Sequence, residues 1–200
     1  MESDTIIVNT RVTVIFHMIN YFKRLYEVWG INDFANFYAS LSPKFNRDMI
    51  FKAGEGAGRS GSFFFFSHDQ KFVVKTMTKT ELNLVKKMTP RYAKYLERHP
   101  DSLLSKILGI FTVQAENFSE VHIMLMENTI RLKNQKQLKY VFDLKGSTVD
   151  RSVKGATKTS TTLKDVNFLL AKQKFRKLTR LDVETTKRLT QAMRNDVAFL

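Results

Sequence analysis

Ile15, Ile19, Phe22, Tyr26 and Trp29 recur every three or four residues, and Gly30 stands where such a helix would close. The spacing predicts an amphipathic helix whose stripe packs into a core. Residues 31–53 read as short helix and loop, with Pro43 as a breaker. Beyond a glycine cluster, the apolar runs "FFFF" and "FVVKTM" flank the polar Ser67-His68-Asp69-Gln70-Lys71, which predicts a hairpin. Residues 79–98 predict a helix that Pro90 splits or kinks. "SLLSKILGIFTV" reads as a short helical stretch running into a strand, "EVHIMLMEN" as a second strand and "KYVFDLKG" as a third. Residues 157–162 predict a mobile surface loop. Leu189, Met193 and Val197, at i, i+4 and i+8, predict a final amphipathic helix.

Composition narrows the setting. Two hundred residues, 43% of them hydrophobic, suit one large domain or two small lobes. Lys and Arg number 33 against 19 Asp and Glu, a net charge of +14. Between Thr129 and Arg180 there are fourteen basic residues and three acidic ones, so eleven of the net charges fall there. Such a patch attracts polyanions: nucleic acid, an anionic membrane face or phosphorylated small molecules. A solvated basic surface is the plainer reading. Nucleic acid would call for aromatics interleaved with the bases, but the stretch holds only Tyr140, Phe142, Phe168 and Phe175, so no nucleic-acid partner is expected. There is no cysteine, and the four histidines lack ligand spacing, so neither a thiolate site nor a histidine-held metal is expected. The N-terminus has no basic n-region, and Asn9, Arg11, His17 and Asn20 interrupt the apolar segment 6–22. Neither a signal peptide nor a membrane span is expected there.

Gly56-Ala57-Gly58-Arg59-Ser60-Gly61 matches G-x-G-x-x-G, a weak signal by itself. A dinucleotide loop needs a helix next, and Ser62–Ser67 is too short and too aromatic to supply one. A Walker loop needs Gly-Lys-Ser/Thr at its end, where this chain has Gly61-Ser62. The kinase-like loop remains: its backbone N–H groups cradle phosphate, and a lysine on the next strand reaches the phosphates. Lys75 lies fourteen residues after Gly61 and shares a strand face with Val73. Either it meets an anion or it snorkels to water from a strand edge. Glu81 is a candidate partner for Lys75 and equally a cap for its own helix. "VHIMLMENTI" suits a strand ending in a hinge at Met126, Glu127 and Asn128, whose backbone would bond an adenine edge.

Taken in order, "GRSGSFF", "VVKTM", "TPRYAKYL", "SLLSKILGIF", "LMEN", "FDLKGSTVDR" and "TLKDVNF" strongly resemble the phosphatidylinositol phosphate kinases, from about Tyr26 to Leu200. Asp143-Leu144-Lys145-Gly146-Ser147-Thr148 with the trailing Arg151 is the most specific element. "SGSFFFF" and "VVKTM" lean towards the type I, 4-phosphate 5-kinase branch. The resemblance implies an α+β kinase-like N-lobe: an antiparallel β-sheet with flanking helices, followed by an incomplete C-terminal lobe. It places a kinase domain over 26–200, and the helical spacing before it leaves 1–25 as an N-terminal helical segment. It also implies ATP with Mg²⁺, and transfer of the γ-phosphoryl group to the headgroup of a phosphatidylinositol monophosphate in an anionic membrane. Gly56, Gly58, Arg59, Ser60, Gly61 and Ser62 would then hold nucleotide, together with Lys75, Met126, Glu127 and Asn128. Lys145 and Arg151 would meet phosphate of ATP or substrate, while Asp143 either orients one of these bases or sits in a structural bond.

The family's "MDYSLL" and "IID" strings, which carry its catalytic and metal-binding aspartates, do not occur here, and neither does an activation loop. Lys164-Asp165-Val166-Asn167 lies upstream of the catalytic position and reads as a turn and helix cap. The resemblance therefore implies the N-terminal part of a kinase domain, with its metal ligands beyond Leu200 and no transfer by this stretch alone. The alternative is a catalytically dead module of the same fold that binds phosphoinositide membrane through the basic patch. The expected location is peripheral, at the cytosolic membrane face; membrane-spanning domains upstream and a homodimer both stay open.

Overall fold

A computed structural model describes residues 3–9, 11–32, 34–47, 62–130, 140–154, 161–171 and 182–200. They fall into two units, one of Met1–Thr129 with Ala192–Leu200 and one of Ile130–Gln191.

The first unit is built on strands β1 (Ser3–Asn9), β2 (Val12–His17), β3 (Phe64–Phe66), β4 (Phe72–Met77), β5 (Ile107–Ala115) and β6 (Val121–Glu127). They form a six-stranded sheet in the order β1-β2-β5-β6-β4-β3, antiparallel at every pairing. Helices α1 (Ile19–Val28) and α4 (Lys79–Arg98) supply much of the core, and α2 (Ala35–Leu41) and α3 (Pro43–Asn46) are short. Phe22, Leu25, Leu82, Leu108 and Ile110 are the largest apolar side chains sealed from water. This is the α+β architecture expected.

Several local expectations are corrected. The helix starts at Ile19, because the β-branched run Val12-Thr13-Val14-Ile15 forms β2 instead. Most of the expected helical segment 1–25 is thus a hairpin: β1 pairs with β2, and β2 continues into the sheet through β5. Pro43 does act as a breaker, since α2 ends at Leu41, and it then opens α3 at a first-turn position, where its missing N–H costs nothing. Pro90 does not split α4, whose Leu82, Tyr92, Ala93 and Leu96 are buried on both sides of it. Residues 102–106 are not helical. The Tyr92 hydroxyl donates to the Ser105 carbonyl and accepts from the Ile107 N–H, bringing the chain straight into β5. No phenylalanine from Phe63 to Phe66 is buried, since among the described residues β3 pairs with β4 alone.

Helix α6 (Val183–Phe199, numbered after α5 of the second unit) forms as expected but turns a different face inward. Ala192, Asp196 and Phe199 are buried, whereas Met193 and Val197 are exposed. Asp196 sets that register: it accepts from the Tyr95 hydroxyl at 2.6 Å, the Ser102 hydroxyl at 2.6 Å and the Leu103 N–H at 2.7 Å.

A buried polar row crosses three adjacent strands. His17 Nε2 lies 2.8 Å from the Thr112 hydroxyl, which lies 2.9 Å from His122 Nδ1, and His122 Nε2 is 3.4 Å from Glu120. The Glu120 carboxylate can only accept, so the ring proton of His122 sits on Nε2. Thr112 then donates to Nδ1 and accepts from His17. Burial, with Lys86, His122 and Lys79 adding repulsion, lowers the pKa of His17 from 6.5 to about 4. A depressed histidine stabilises the fold fully above pH 6.5 and loses that contribution as pH falls towards 4. Stability is expected to drop by about 2 kcal/mol between pH 7 and 5. Denaturant titrations across that range should show the fall, and His17→Gln should flatten it. A wild-type profile already flat would refute the assignment.

The second unit holds β7 (Val141–Asp143), β8 (Thr162–Lys164) and α5 (Asp165–Leu170). β7 and β8 pair in parallel. Asn167 takes the place of a strand partner for Val153, accepting from its N–H and donating to its carbonyl, both at 3.0 Å. The expected loop at 157–162 lies outside the described residues up to 160, and Thr162 belongs to β8. Among the described residues no helix is long and apolar enough to cross a membrane.

Candidate active site

Lys75 sits mid-strand in β4, opposite Met124 of β6 on one side and Phe64 of β3 on the other. Paired residues share a face, and so do residues two apart, which groups Val73, Lys75, Met124 and Met126. The Lys75 side chain is only 19% exposed, and its ammonium donates to Glu81 Oε1 at 2.8 Å. Both readings of Glu81 hold, one per oxygen. Oε2 accepts from the Thr78 N–H at 2.8 Å and the Thr78 hydroxyl at 3.1 Å, while the Glu81 N–H donates back to that hydroxyl in a capping box. The hydrogen bond from Lys75, then that from the Thr78 N–H, lowers the Glu81 pKa from 4.5 to about 2. The carboxylate is therefore ionised at any pH where a kinase works. Its contribution to stability is present above 4.5 and is lost as pH falls to about 2.

Met126 and Glu127 close β6, and Asn128 follows it. The Glu127 N–H donates to the Lys106 carbonyl at 2.9 Å and the Asn128 N–H to the Lys71 carbonyl at 2.8 Å. The Asn128 side-chain amide donates to the Gln70 carbonyl at 2.8 Å. These donors are engaged within the unit, so an adenine edge at this segment would be met by carbonyls or by later residues. Gly56, Gly58, Arg59, Ser60 and Gly61 lie outside the described residues. Ser62 is buried just before β3.

In the second unit Asp143, Lys145 and Arg151 come together around Asp165, for which the sequence predicts only a turn and helix cap. Asp165 accepts from the Lys145 and Gly146 N–H groups at 2.9 and 2.8 Å, and from Arg151 Nε at 2.8 Å. Arg151 also reaches the Asp143 carboxylate at 3.1 Å and the Asp143 carbonyl. Its guanidinium, 11% exposed, is thus tied into holding the loop. Asp143 sits in a structural bond and also contacts the Lys145 ammonium at 3.1 Å, whose side chain is 60% exposed. The hydrogen bond from Arg151 holds Asp165 down at about 2, and that from Lys145 lowers Asp143. Lys145 is the outward-facing cation of the group. The clue to Asp165 was its scarcity: it is one of three acids among fourteen bases.

A lysine in mid-strand, paired with a glutamate at the head of the helix beside an antiparallel sheet, is the small-lobe arrangement of a kinase-like fold. The family model for phosphatidylinositol-4-phosphate 5-kinase matches residues 46–200. The chain belongs to that family. It is 37% identical over 164 residues to a probable phosphatidylinositol phosphate kinase of Dictyostelium discoideum, covering 78% of this chain and 22% of that protein. Against the phosphatidylinositol 4-phosphate 5-kinase type-1 alpha of Rattus norvegicus it is 35% identical over 150 residues, 74% of this chain and 26% of the other. Against the type-1 beta protein of Homo sapiens it is 32% identical over 181 residues, 90% and 31% respectively. The chain thus spans between a fifth and a third of these relatives' length.

Proposed function

We propose that this chain is the nucleotide-binding part of a lipid kinase that moves the γ-phosphoryl group of ATP onto a phosphatidylinositol monophosphate, the 4-phosphate yielding the 4,5-bisphosphate. The Lys75–Glu81 pair carries the reading. Phosphoryl transfer asks a protein for positioning and for positive charge along the phosphates. Lys75 supplies that charge from a rigid strand, and Glu81 aims it. Val73, Met124 and Met126 offer an apolar floor on the same face, suited to a flat base. Magnesium would neutralise phosphate charge when bound. Among the described residues no group of three or more His, Asp or Glu could hold it. Lys145 and its basic surroundings would face an anionic membrane surface, where the protein would work as a peripheral partner.

Calorimetry with ATP and flotation with phosphatidylinositol 4-phosphate vesicles test the two halves. ATP binding by the 200-residue chain is expected, with vesicle binding that weakens steeply between 50 and 500 mM salt (roughly tenfold or more). Vesicle binding without ATP binding would favour the non-catalytic module, and salt-insensitive vesicle binding would remove the basic patch from the account.

A further inference from the structure

The turn between β3 and β4 is bound far more heavily than a surface turn requires. Asp69 accepts from the Ser67 hydroxyl at 2.8 Å, the Lys71 N–H at 3.2 Å and the Ser40 hydroxyl of α2 at 2.8 Å, and pairs with the Lys71 ammonium at 3.0 Å. Ser40 and Ser67 are buried. Burial alone would raise the Asp69 pKa, but the bonds from Ser40, Lys71 and Ser67 pull it well below the carboxylate range. Asn46 extends the clasp, accepting from the His68 N–H at 2.8 Å. The turn also holds Gln70 at a φ of 60°, the left-handed region that residues other than glycine rarely occupy.

This arrangement turns two carbonyls, Gln70 and Lys71, towards Asn128, which donates to both at 2.8 Å. Asn128 follows the last residue of β6, and Lys75 lies four residues after Lys71 along the same strand run. The adenine-side segment and the phosphate-side lysine are therefore hung from one short stretch, residues 70–75. A backbone held off its relaxed conformation by surrounding bonds is a common mark of a functional site. We infer that Asp69 is a positioning residue for nucleotide binding: by fixing the turn it fixes Asn128 relative to Lys75. The inference rests on the nucleotide reading above and adds a residue to it.

Its test is a double-mutant cycle on the 200-residue chain, with ATP affinity, melting temperature and hydrogen exchange at the Asn128 amide measured for each variant. Asp69→Asn puts an amide among donors and should weaken ATP binding about tenfold, the loss expected from one or two misplaced hydrogen bonds. Asn128→Ala should cost a similar factor, and the double variant little more than either, since both act through one bond set. Leu96→Ala, a core truncation in α4 that touches none of the turn's hydrogen bonds, should lower the melting temperature without changing ATP affinity. Faster exchange at Asn128 in Asp69→Asn would complete the result. If Asp69→Asn behaves like Leu96→Ala, or the two site variants add fully, the inference is overturned. A wild-type chain that does not bind ATP would instead sink the nucleotide reading, and this inference with it. Unchanged Asn128 exchange in Asp69→Asn would reject the link even where ATP binds.

Discussion

Lys75→Ala in the full-length protein is expected to abolish phosphorylation of phosphatidylinositol phosphate in mixed vesicles while leaving the fold intact. Removing one preorganised donor from a developing charge costs about 10²–10³ in rate, and the loss here should reach at least the lower figure. Lys75→Arg should not restore turnover, because a planar guanidinium cannot take the place of a compact ammonium 2.8 Å from Glu81 in a side chain only 19% exposed. The fold survives because Glu81 is not orphaned. Its second oxygen keeps both Thr78 donors, and its side chain is 34% exposed to water. Circular dichroism melts should therefore nearly coincide for wild type and variant. Turnover by Lys75→Ala within a few-fold of wild type would remove Lys75 from the chemistry.

The largest expected effect on stability lies elsewhere, at Asp196. Alanine there deprives the Tyr95 hydroxyl, the Ser102 hydroxyl and the Leu103 N–H of their common acceptor in a position only 6% exposed. Donors left buried without partners cost about 1–3 kcal/mol each, and some relaxation is available, so a loss of about 4 kcal/mol is expected. Asp196→Asn should cost less but not nothing. Its oxygen can keep the two hydroxyls that Oδ1 accepts, while its amide confronts the Leu103 N–H that Oδ2 had accepted. Equilibrium urea unfolding of the two variants should rank them in that order. An alanine variant as stable as wild type would show that the helix end docks without this acceptor, through contacts such as Phe199, which stacks on Tyr95 with centroids 4.4 Å apart.

Asp196 also shows why part of the fold was hidden in the sequence. Apolar periodicity pointed to Leu189, Met193 and Val197, yet three hydrogen-bond donors with one acceptor between them decided the helix face. At the N-terminus, Ile15, Ile19, Phe22 and Tyr26 satisfied a helical template across what is a strand and a helix. The alternation Val12, Val14, Phe16 was the competing signal, and β-branching settled it. Where pattern and turn chemistry agreed, the reading carried through: β3 and β4 pair around Ser67–Lys71, β5 and β6 follow, and Lys75 meets Glu81. The organising acids, Asp69 and Asp165, were not visible as such. Asp69 reaches Ser40 across 29 residues and Asp165 reaches the Lys145 N–H across 20, and no local spacing records a long-range hydrogen bond.

The split carboxylate of Glu81 has a further consequence for how the lysine can be used. An ammonium drawn to a phosphate must loosen its hold on its resident anion, and in many pairs that would disturb whatever the anion supports. Here the two allegiances run through separate oxygens. In the proposed role Lys75 would shift its weight from glutamate to phosphate and back while the first turn of α4 stays wound, so guest and helix would not compete for the same atom.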